Sequence, residues 1–300
     1  MRKFGIKSSK LRESSQAYFF LAPTIFTIGV FILLPILYAL FLSFHEVQLL
    51  GGTKYDFIGI ENFLNVVDDH RALIALRNTM KYVLIVVPSQ TALALILAAT
   101  LNAGLKGQTF FRIIYFLPTL TSSAVLTLIF MWMYNQNGLI NHALEFIGLP
   151  TYNWIGDPQI ALIAIMIMNI WSTAPFFMTI YLAALQDIPD SLYEAASLDG
   201  ATAFQKFWYI TVPSLRPVTS FVMIIGIIGT FQLFDQSYIF SGGSGGPDNS
   251  TLTVVLLIYQ YAFKSMGTMG YAAALAFALA IFILIATFIQ RKLSKEESLY

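Results

Sequence analysis

The sequence predicts an all-α integral membrane protein with about six transmembrane helices, and three observations support this prediction. Hydrophobic residues make up 57% of the chain and charged residues 11%, whereas soluble domains carry about 25% charged residues. Six stretches remain apolar over roughly the 20 residues that a membrane-spanning helix requires. No stretch alternates like a barrel strand, and a helix satisfies its own backbone hydrogen bonds inside lipid.

The six predicted spans are defined by their apolar runs. The first contains Pro23 and Pro35, so a kink or a shorter helical part is expected there. It follows a basic tail, but its apolar run is too long for a signal peptide and ends without a cleavage motif. The spans are predicted at 18–44, 82–101, 113–134, 160–185, 218–240 and 267–289.

The distribution of basic residues predicts the topology. With six spans both termini lie on one side, and that side holds most of the Lys and Arg residues, including Lys106 and Arg112 in a short loop. Cytoplasmic segments are enriched in Lys and Arg, so both termini are predicted to be cytoplasmic. The predicted regions are an N-terminal tail at 1–17, a transmembrane domain at 18–290 with a cytoplasmic loop at 187–217, and a C-terminal tail at 291–300.

The residues and motifs that the sequence lacks exclude several classes of function. The span centres contain no Asp, Glu, Lys, Arg or His, and a charge there would cost about 2.5–3.5 kcal/mol, so a proton-coupled pump or voltage sensor is disfavoured. The chain has no phosphate-binding G-x-x-x-x-G-K-[ST] loop and is not expected to hydrolyse ATP. It has no cysteine, and its histidines lack metal-ligand spacing, so no catalytic site, metal site or cofactor is predicted.

Two further features have simple interpretations. The net charge of +1 offers no basic stripe to meet phosphates, which argues against a nucleic-acid partner. The glycine-rich stretch 241–247 follows the fifth span and is not followed by a lysine, so it is predicted to be a flexible outer connector rather than a nucleotide loop.

The loop 187–217 has the pattern of two short helices joined at a glycine. Ser191 and Glu194 have the spacing of a capping box that would begin the first helix. Gly200 suits the left-handed end of that helix. Small and acidic side chains on the first helix would allow a partner to approach closely, so the loop is predicted to be a docking element. The alternative is a surface helix that only connects two spans.

The second short helix of this loop has its own signals. Thr202 and Gln205 repeat the capping-box spacing, and Pro213 is expected to end the helix before the chain re-enters the membrane.

Several residues of the loop 187–217 resemble a motif of a known protein family. Glu194-Ala195-Ala196, Gly200 and the segment 210–213 resemble the EAA loop of permease subunits in bacterial ABC importers, although Val212 replaces the usual leucine before the proline. Shorter motifs at 117–118, 234–235, 245–247 and 271–274 are similar to the carbohydrate branch related to maltose-type permeases. The resemblance implies a type I importer permease fold, with a coupling helix that docks on an ATPase subunit through Glu194, Ala195, Ala196, Ser197, Asp199 and Gly200.

The resemblance also implies a function and a set of partners. The chain would be a non-enzymatic permease subunit of an ATP-driven sugar importer in the bacterial inner membrane, working by alternating access. Its partners would be a second homologous permease, two ATPase subunits that bind ATP and Mg, an extracytoplasmic solute-binding protein, membrane lipid and the sugar. The alternatives are an importer of glycerol phosphate, a polyol or an osmolyte, an ion-coupled carrier or channel, and a membrane scaffold.

Uncharged polar and aromatic side chains would line a sugar path, because hydroxyls need hydrogen bonds and sugar faces stack on rings. Asn169 and Thr173 are four residues apart and share a helical face, and the spacing from Gln232 through Asp235 to Tyr238 predicts one polar face on the fifth span. The alternative for each residue is a hydrogen bond between helices or a place in the interfacial aromatic belt. The path candidates are Tyr134, Asn135, Asn169, Thr173, Gln232, Asp235 and Tyr238.

Overall fold

The computed structural model describes residues 3–48, 54–103, 107–265 and 267–294. Within these ranges, five helices are long and apolar enough to cross a membrane, and a sharply bent pair brings the number to as many as six. The predicted all-α class is confirmed. Lys106, used in the topology prediction, and the ends of the two predicted tails at 1–2 and 295–300 lie outside the described residues.

The regular elements follow one another in chain order. The longer helices are α1 Lys3–Ile28, α2 Leu34–Ser43, α3 Glu61–Asp68, α4 His70–Asn102, α5 Gln108–Leu120, α6 Ser123–Met133, α7 Leu139–Phe146, α8 Ala161–Gln186, α9 Asp190–Leu198, α12 Arg216–Phe231 and α15 Met269–Leu293. The shorter helices are α10 Ala203–Lys206, α11 Val212–Ser214, α13 Asp235–Phe240 and α14 Val254–Tyr259. Strands β1 His45–Gln48 and β2 Lys54–Phe57 pair antiparallel, and π-helical turns occupy Gly29–Leu33, Phe207–Thr211 and Gln260–Lys264.

The chain divides into two compact units, of which the first comprises the described parts of Met1–Val66 and Tyr261–Phe277. In this unit Gly270 allows a close backbone approach, because a Cβ atom there would clash with the carbonyl oxygen of His45. The first span, Gln16–Ser43, stays helical through its prolines. The expected distortion is the π-helical turn Gly29–Leu33, which directly precedes the turn containing Pro35 and relieves the clash of the proline ring with the preceding carbonyls.

The second unit comprises the described parts of Val67–Gln260 and Ala278–Tyr300. Its core forms where α4 packs against α8. Ala94 and Ala98 on α4 and Ala174 on α8 are all fully buried in one cluster. Side chains this small let two membrane helices approach closely, so van der Waals packing holds the pair together.

The span predicted at 113–134 is not one helix. α5 ends at Leu120, α6 begins at Ser123, and the two axes differ by 101°. Pro118 removes a backbone donor from the last turn of α5. The Thr119 hydroxyl donates to the Phe116 carbonyl oxygen at 2.6 Å, and such side-chain bonds compete with the helical ladder. The chain therefore turns sharply where a straight span was expected.

The fifth span is interrupted as well. Arg216–Phe240 remains one span, but α12 ends at Phe231 and α13 begins at Asp235, so Gln232 does not lie on a regular helical face with Asp235. The Thr253 hydroxyl donates to the carbonyl oxygen of Leu233 at 2.9 Å, which satisfies a backbone group that the break releases. Irregular backbone is tolerated within a membrane domain where protein groups provide such partners.

The glycine-rich stretch 241–247, predicted to be flexible, is held by hydrogen bonds. The Gln260 side-chain amide donates to the Gly243 carbonyl oxygen at 2.9 Å. Asn78 on α4 donates to the Asn249 carbonyl oxygen at 2.7 Å, a few residues further along the same loop. The loop is therefore fixed from both sides, through contacts with residues distant in sequence.

Candidate functional site

A cavity of about 430 Å³ lies within the second unit, bordered by α4, α6, α8 and the break between α12 and α13. Its wall combines side-chain amides, hydroxyls and one carboxylate with aromatic and aliphatic groups. The polar lining residues are Tyr82, Gln90, Ser123, Asn169, Thr173, Thr230, Gln232, Asp235 and Gln236. A cavity of this size and composition can hold a small neutral polar ligand.

Gln90 organises one wall of the cavity. It comes from α4 and is 1% exposed. Its side-chain carbonyl oxygen accepts a hydrogen bond from the Thr173 hydroxyl at 2.7 Å, and that hydroxyl also lies 2.8 Å from the Asn169 carbonyl oxygen. Gln90 was not among the predicted path residues, although an isolated amide in the middle of an apolar span is the signal that could have found it.

A glycine makes room for the Gln90 amide. A Cβ atom on Gly226 of α12 would lie 2.7 Å from the Gln90 amide nitrogen. The Gln90 side chain therefore extends from α4 towards α12, and its oxygen accepts a hydrogen bond from Thr173 on α8. This one side chain lies where three helices meet.

Two buried hydroxyls at the cavity wall have unsatisfied hydrogen-bonding capacity. The hydroxyls of Tyr82 and Ser123 find no hydrogen-bond partner among the described residues, and both residues line the cavity. An unsatisfied buried polar group costs about 1–3 kcal/mol.

Four of the seven path candidates come together at this cavity, namely Asn169, Thr173, Gln232 and Asp235. The break after Phe231 places Gln232 and Asp235 in and beside an irregular segment, rather than on one continuous helical face.

The other three path candidates do not line the cavity. Tyr134 is 2% exposed, and its hydroxyl donates to the Ala164 carbonyl oxygen at 2.9 Å, so it fills the core. Asn135 is exposed, and its side chain accepts from the Asn137 amide at 3.3 Å. Tyr238 packs on the ring of Phe234 at 5.4 Å, and Phe234 itself lines the cavity.

The loop 187–217 forms a second candidate site. Every residue of α9 is exposed or half-buried, and Leu198 at its end is 90% exposed. The helix presents all six predicted docking residues, Glu194, Ala195, Ala196, Ser197, Asp199 and Gly200, in or directly after its last turns.

The capping box predicted from Ser191 and Glu194 is absent from the described loop. α9 begins at Asp190 with Pro189 at the N-cap, two residues before the predicted N-cap Ser191, and no side chain caps it. Pro189 has an extended conformation with ψ of 129°, which starts the helix directly after it. Asp190 then lies in the first turn, where a carboxylate interacts favourably with the helix dipole.

The end of α9 matches the prediction. Gly200 has φ of +77°, the Gly200 amide donates to the Ser197 carbonyl oxygen at 3.1 Å, and the Ala201 amide donates to the Ala196 carbonyl oxygen at 2.9 Å. These two bonds form a Schellman motif. The second predicted capping box is confirmed at the next helix, between Thr202 and Gln205.

Side chains tie α9 to the chain that leads into α12. The Tyr193 hydroxyl lies 2.9 Å from the Thr211 hydroxyl, and the Lys206 ammonium donates to the Ser197 hydroxyl at 2.6 Å. Pro213 does not end the helical path as expected, because the π-helical turn Phe207–Thr211 accommodates it. The loop is therefore a braced element rather than a loose connection.

A helical membrane chain with a polar cavity among its spans and an exposed, braced helix between two of them has the features of a transport permease. The chain belongs to the family of binding-protein-dependent transport system inner membrane components, whose model matches residues 90–297. It is therefore a multi-pass plasma-membrane protein and a permease subunit of an ATP-driven importer, which works with a binding protein and partner subunits.

Several relatives cover nearly the whole chain. The lactose transport system permease protein LacF of Rhizobium radiobacter is 38% identical over 94% of both chains. The trehalose/maltose transport system permease protein MalF of Thermococcus litoralis is 32% identical over 95% of this chain and 96% of its own. The arabinooligosaccharides transport system permease protein AraP of Bacillus subtilis is 34% identical over 94% and 89%.

A solved structure shares the fold. A chain of a bacterial ABC transporter involved in the import of the acidic polysaccharide alginate superposes with a TM-score of 0.80. The match covers 97% of this chain and 98% of that one at 21% identity. The predicted type I importer permease fold is confirmed.

Proposed function

We propose that this chain forms part of the translocation path for a neutral sugar and couples that path to partner ATPase subunits through the loop 187–217. The cavity in the second unit carries this proposal, because amides and hydroxyls from five helices, α4, α6, α8, α12 and α13, converge on a volume of about 430 Å³. The names of the relatives support a sugar cargo, since they are permeases for lactose, trehalose/maltose and arabino-oligosaccharides.

The cavity chemistry fits a sugar. Each sugar hydroxyl both donates and accepts, and a side-chain amide offers one acceptor and two donor hydrogens in a fixed geometry. Asn169 and Gln232 supply such amides, and the ring of Phe234 supplies a surface for an apolar sugar face. The carboxylate of Asp235 can accept hydrogen bonds from two sugar hydroxyls, and it disfavours a phosphorylated cargo by charge repulsion.

The coupling proposal rests on two observations: α9 is exposed, and side-chain hydrogen bonds brace the loop 187–217. α9 offers Glu194 and Asp199 as negative charges, with small side chains at Ala195 and Ala196 between them. A groove on an ATPase subunit could approach this surface closely. The tie between Tyr193 and Thr211 would then carry a displacement of α9 towards α12, which borders the cavity.

The remaining partners follow from this role. A second, homologous permease would complete the path, two ATPase subunits would bind ATP and Mg, and an extracytoplasmic binding protein would deliver the sugar. Both termini and the loop 187–217 would face the cytoplasm, where ATP is available. Alternating access would use the interruptions of helical structure at 121–122 and 232–234 as points of bending.

The cargo proposal is tested by uptake into liposomes containing the assembled transporter, with labelled lactose, trehalose, maltose and arabino-oligosaccharides. Asn169→Leu and Gln232→Leu keep similar side-chain volumes but remove amides from the cavity. We expect each to lower uptake about tenfold or more, since a site built to bond hydroxyls loses this much when such bonds are lost. Asn135→Leu removes an exposed amide outside the cavity and is expected to transport normally.

Two results would contradict the cargo proposal. Normal uptake by both cavity variants would show that the sugar does not meet this wall. Equal loss in Asn135→Leu would show that the effect is not specific to the cavity. The amount of assembled complex, measured by size-exclusion chromatography, separates a transport defect from a folding defect.

A further inference from the structure

A groove of about 550 Å³ lies between α12 and the last turns of α15, within the second unit. Ile224 forms one wall, and Leu284, Ile285 and Phe288 form the other. The three side chains on α15 are between 52% and 69% exposed. The groove is therefore a concave apolar surface on the outside of the described unit.

Two polar residues, Thr287 and Arg291, line the groove, and within the part of the chain that the structure describes only Arg291 offers a polar group that is not already hydrogen-bonded. The Thr287 hydroxyl is already hydrogen-bonded to the carbonyl oxygens of Ile283 at 2.8 Å and Leu284 at 3.0 Å. Arg291 also lines the groove and is exposed. Its guanidinium has no ion pair or hydrogen bond with any residue that the structure describes.

Arg291 is near the end of its membrane helix, because α15 ends two residues later at Leu293. A second cation is at the same end of the helix pair. Gln290 approaches both the carbonyl oxygen and the hydroxyl of Ser220 at 3.5 Å, and Arg216 begins α12 one turn before Ser220. The groove thus runs from an apolar stretch to a cationic end.

We propose that this groove binds an anionic membrane phospholipid, with an acyl chain against Ile224 and Phe288 and the phosphate on Arg291. A spanning helix places its end at the level of the lipid headgroups. Basic pockets between membrane helices bind anionic headgroups, and the planar guanidinium matches phosphate oxygens in a bidentate geometry. Arg216 supplies additional positive charge at the same level.

An apolar helix of another subunit fits the groove less well. It would cover the apolar walls but leave the Arg291 guanidinium without an anion in a desolvated position, which is unfavourable. A phospholipid offers an apolar chain and a negative charge in one molecule. The charge complementarity therefore favours lipid over a protein helix.

The test measures lipid retained by the complete purified transporter, using native mass spectrometry after exchange into detergent with added phosphatidylglycerol or phosphatidylcholine. Arg291→Gln is compared with Lys292→Gln, which removes the same charge from the next residue, one that does not line the groove. We expect Arg291→Gln to retain about fivefold less phosphatidylglycerol, the loss typical for one basic contact at an anionic surface. Lys292→Gln should retain as much as the wild type, and phosphatidylcholine should be retained weakly throughout.

A second variant tests the apolar part of the site. Ile224→Trp fills the groove and keeps Arg291, so it should also lower the retention of phosphatidylglycerol. Normal retention in this variant would overturn the proposal, because the acyl chain would not lie in the groove. An equal loss in Lys292→Gln and Arg291→Gln would overturn it too, since it would indicate diffuse charge attraction.

The competing occupant has its own measurement. The chain contains no cysteine, so Phe288→Cys introduces its single thiol at the groove. Efficient disulfide crosslinking of this position to a scanned cysteine on another transporter subunit would show that protein covers the groove, and the lipid proposal would fail. None of these readouts depends on the cargo, so they remain informative even if the sugar assignment is wrong.

Discussion

The amide nitrogen of Gln90 lies 2.7 Å from the position that a Cβ atom would occupy on Gly226. Because the oxygen of the same amide accepts a hydrogen bond from Thr173, one side chain joins α4 to α8 and lies against α12. All three residues line the cavity. Gly226 has no side chain, so it leaves room for the Gln90 amide, and the shape of the cavity depends on this glycine.

Gly226→Ala should displace the Gln90 amide, whereas Gly229→Ala should not, because a Cβ atom at Gly229 meets nothing within 4 Å. In a helix interior, replacing glycine by alanine stabilises by about 0.5–1 kcal/mol. We expect Gly229→Ala to show this gain in thermal unfolding. Gly226→Ala should show none, because the disturbed hydrogen bond of Gln90 costs about 1 kcal/mol. An equal gain in both variants would mean that Gln90 does not occupy this position.

Glu194→Lys should uncouple ATP hydrolysis from transport or weaken the binding of the ATPase subunits, because it reverses a charge on the exposed docking helix. The membrane domain should remain folded, since Glu194 contributes no packing to its core. Glu145→Lys makes the same change at an exposed site on α7 and serves as the control. Subunit co-purification and binding-protein-stimulated ATPase activity are the measurements. A fully coupled Glu194→Lys complex would refute the docking role.

Gly200→Val should impair coupling only because valine disfavours the left-handed backbone conformation of Gly200. Gly200 has φ of +77°, and a Cβ atom there would meet nothing within 4 Å, so the defect cannot come from a clash. The left-handed conformation costs about 1–2 kcal/mol for a residue with a side chain.

Gly200→Asn is the matched comparison, because asparagine tolerates the left-handed region better than other residues. We expect lower ATPase stimulation in Gly200→Val and near-normal stimulation in Gly200→Asn. Equal activity of the two variants would show that this conformation is not needed for coupling.

Asn78→Leu should destabilise the second unit. Asn78 donates to the carbonyl oxygens of Asn249 at 2.7 Å and Leu252 at 3.0 Å, and its loss would leave both without this donor. We expect a loss of about 1–3 kcal/mol, the cost of an unsatisfied buried group. The control is Asn137→Leu at an exposed position, which should change stability little. Thermal unfolding in detergent measures both, and matching midpoints would contradict the role given to Asn78.

Local features of the loop 187–217 could be predicted where they depend on neighbouring residues. Gly200 ends its helix and Thr202 begins the next one because both signals act within a single turn. The prediction failed for Ser191, because Pro189 and Asp190 provide a competing helix start two residues earlier. Competing signals this close together cannot be ranked from sequence.

The cavity was only partly predictable. Asn169 and Thr173 share a face of one unbroken helix, so their spacing was enough to place them together. Gln90 and Gly226 lie on other helices, and the contact between them depends on how those helices pack. Gln232 lies in a break that Thr253, distant in sequence, stabilises, so the continuous helical face expected from its spacing to Asp235 and Tyr238 does not form.

The sequence by itself determined the membrane class, the approximate spans, the lack of charge at their centres and the exposed helical loop, because these depend on composition and local spacing. The tertiary structure alone decided that the third span bends by 101°, that the fifth breaks before Asp235 and that Gln90 joins the cavity wall. The physical reason is that a buried polar group or an interrupted helix is stable only when distant residues satisfy its hydrogen bonds, and those partners are fixed by helix packing.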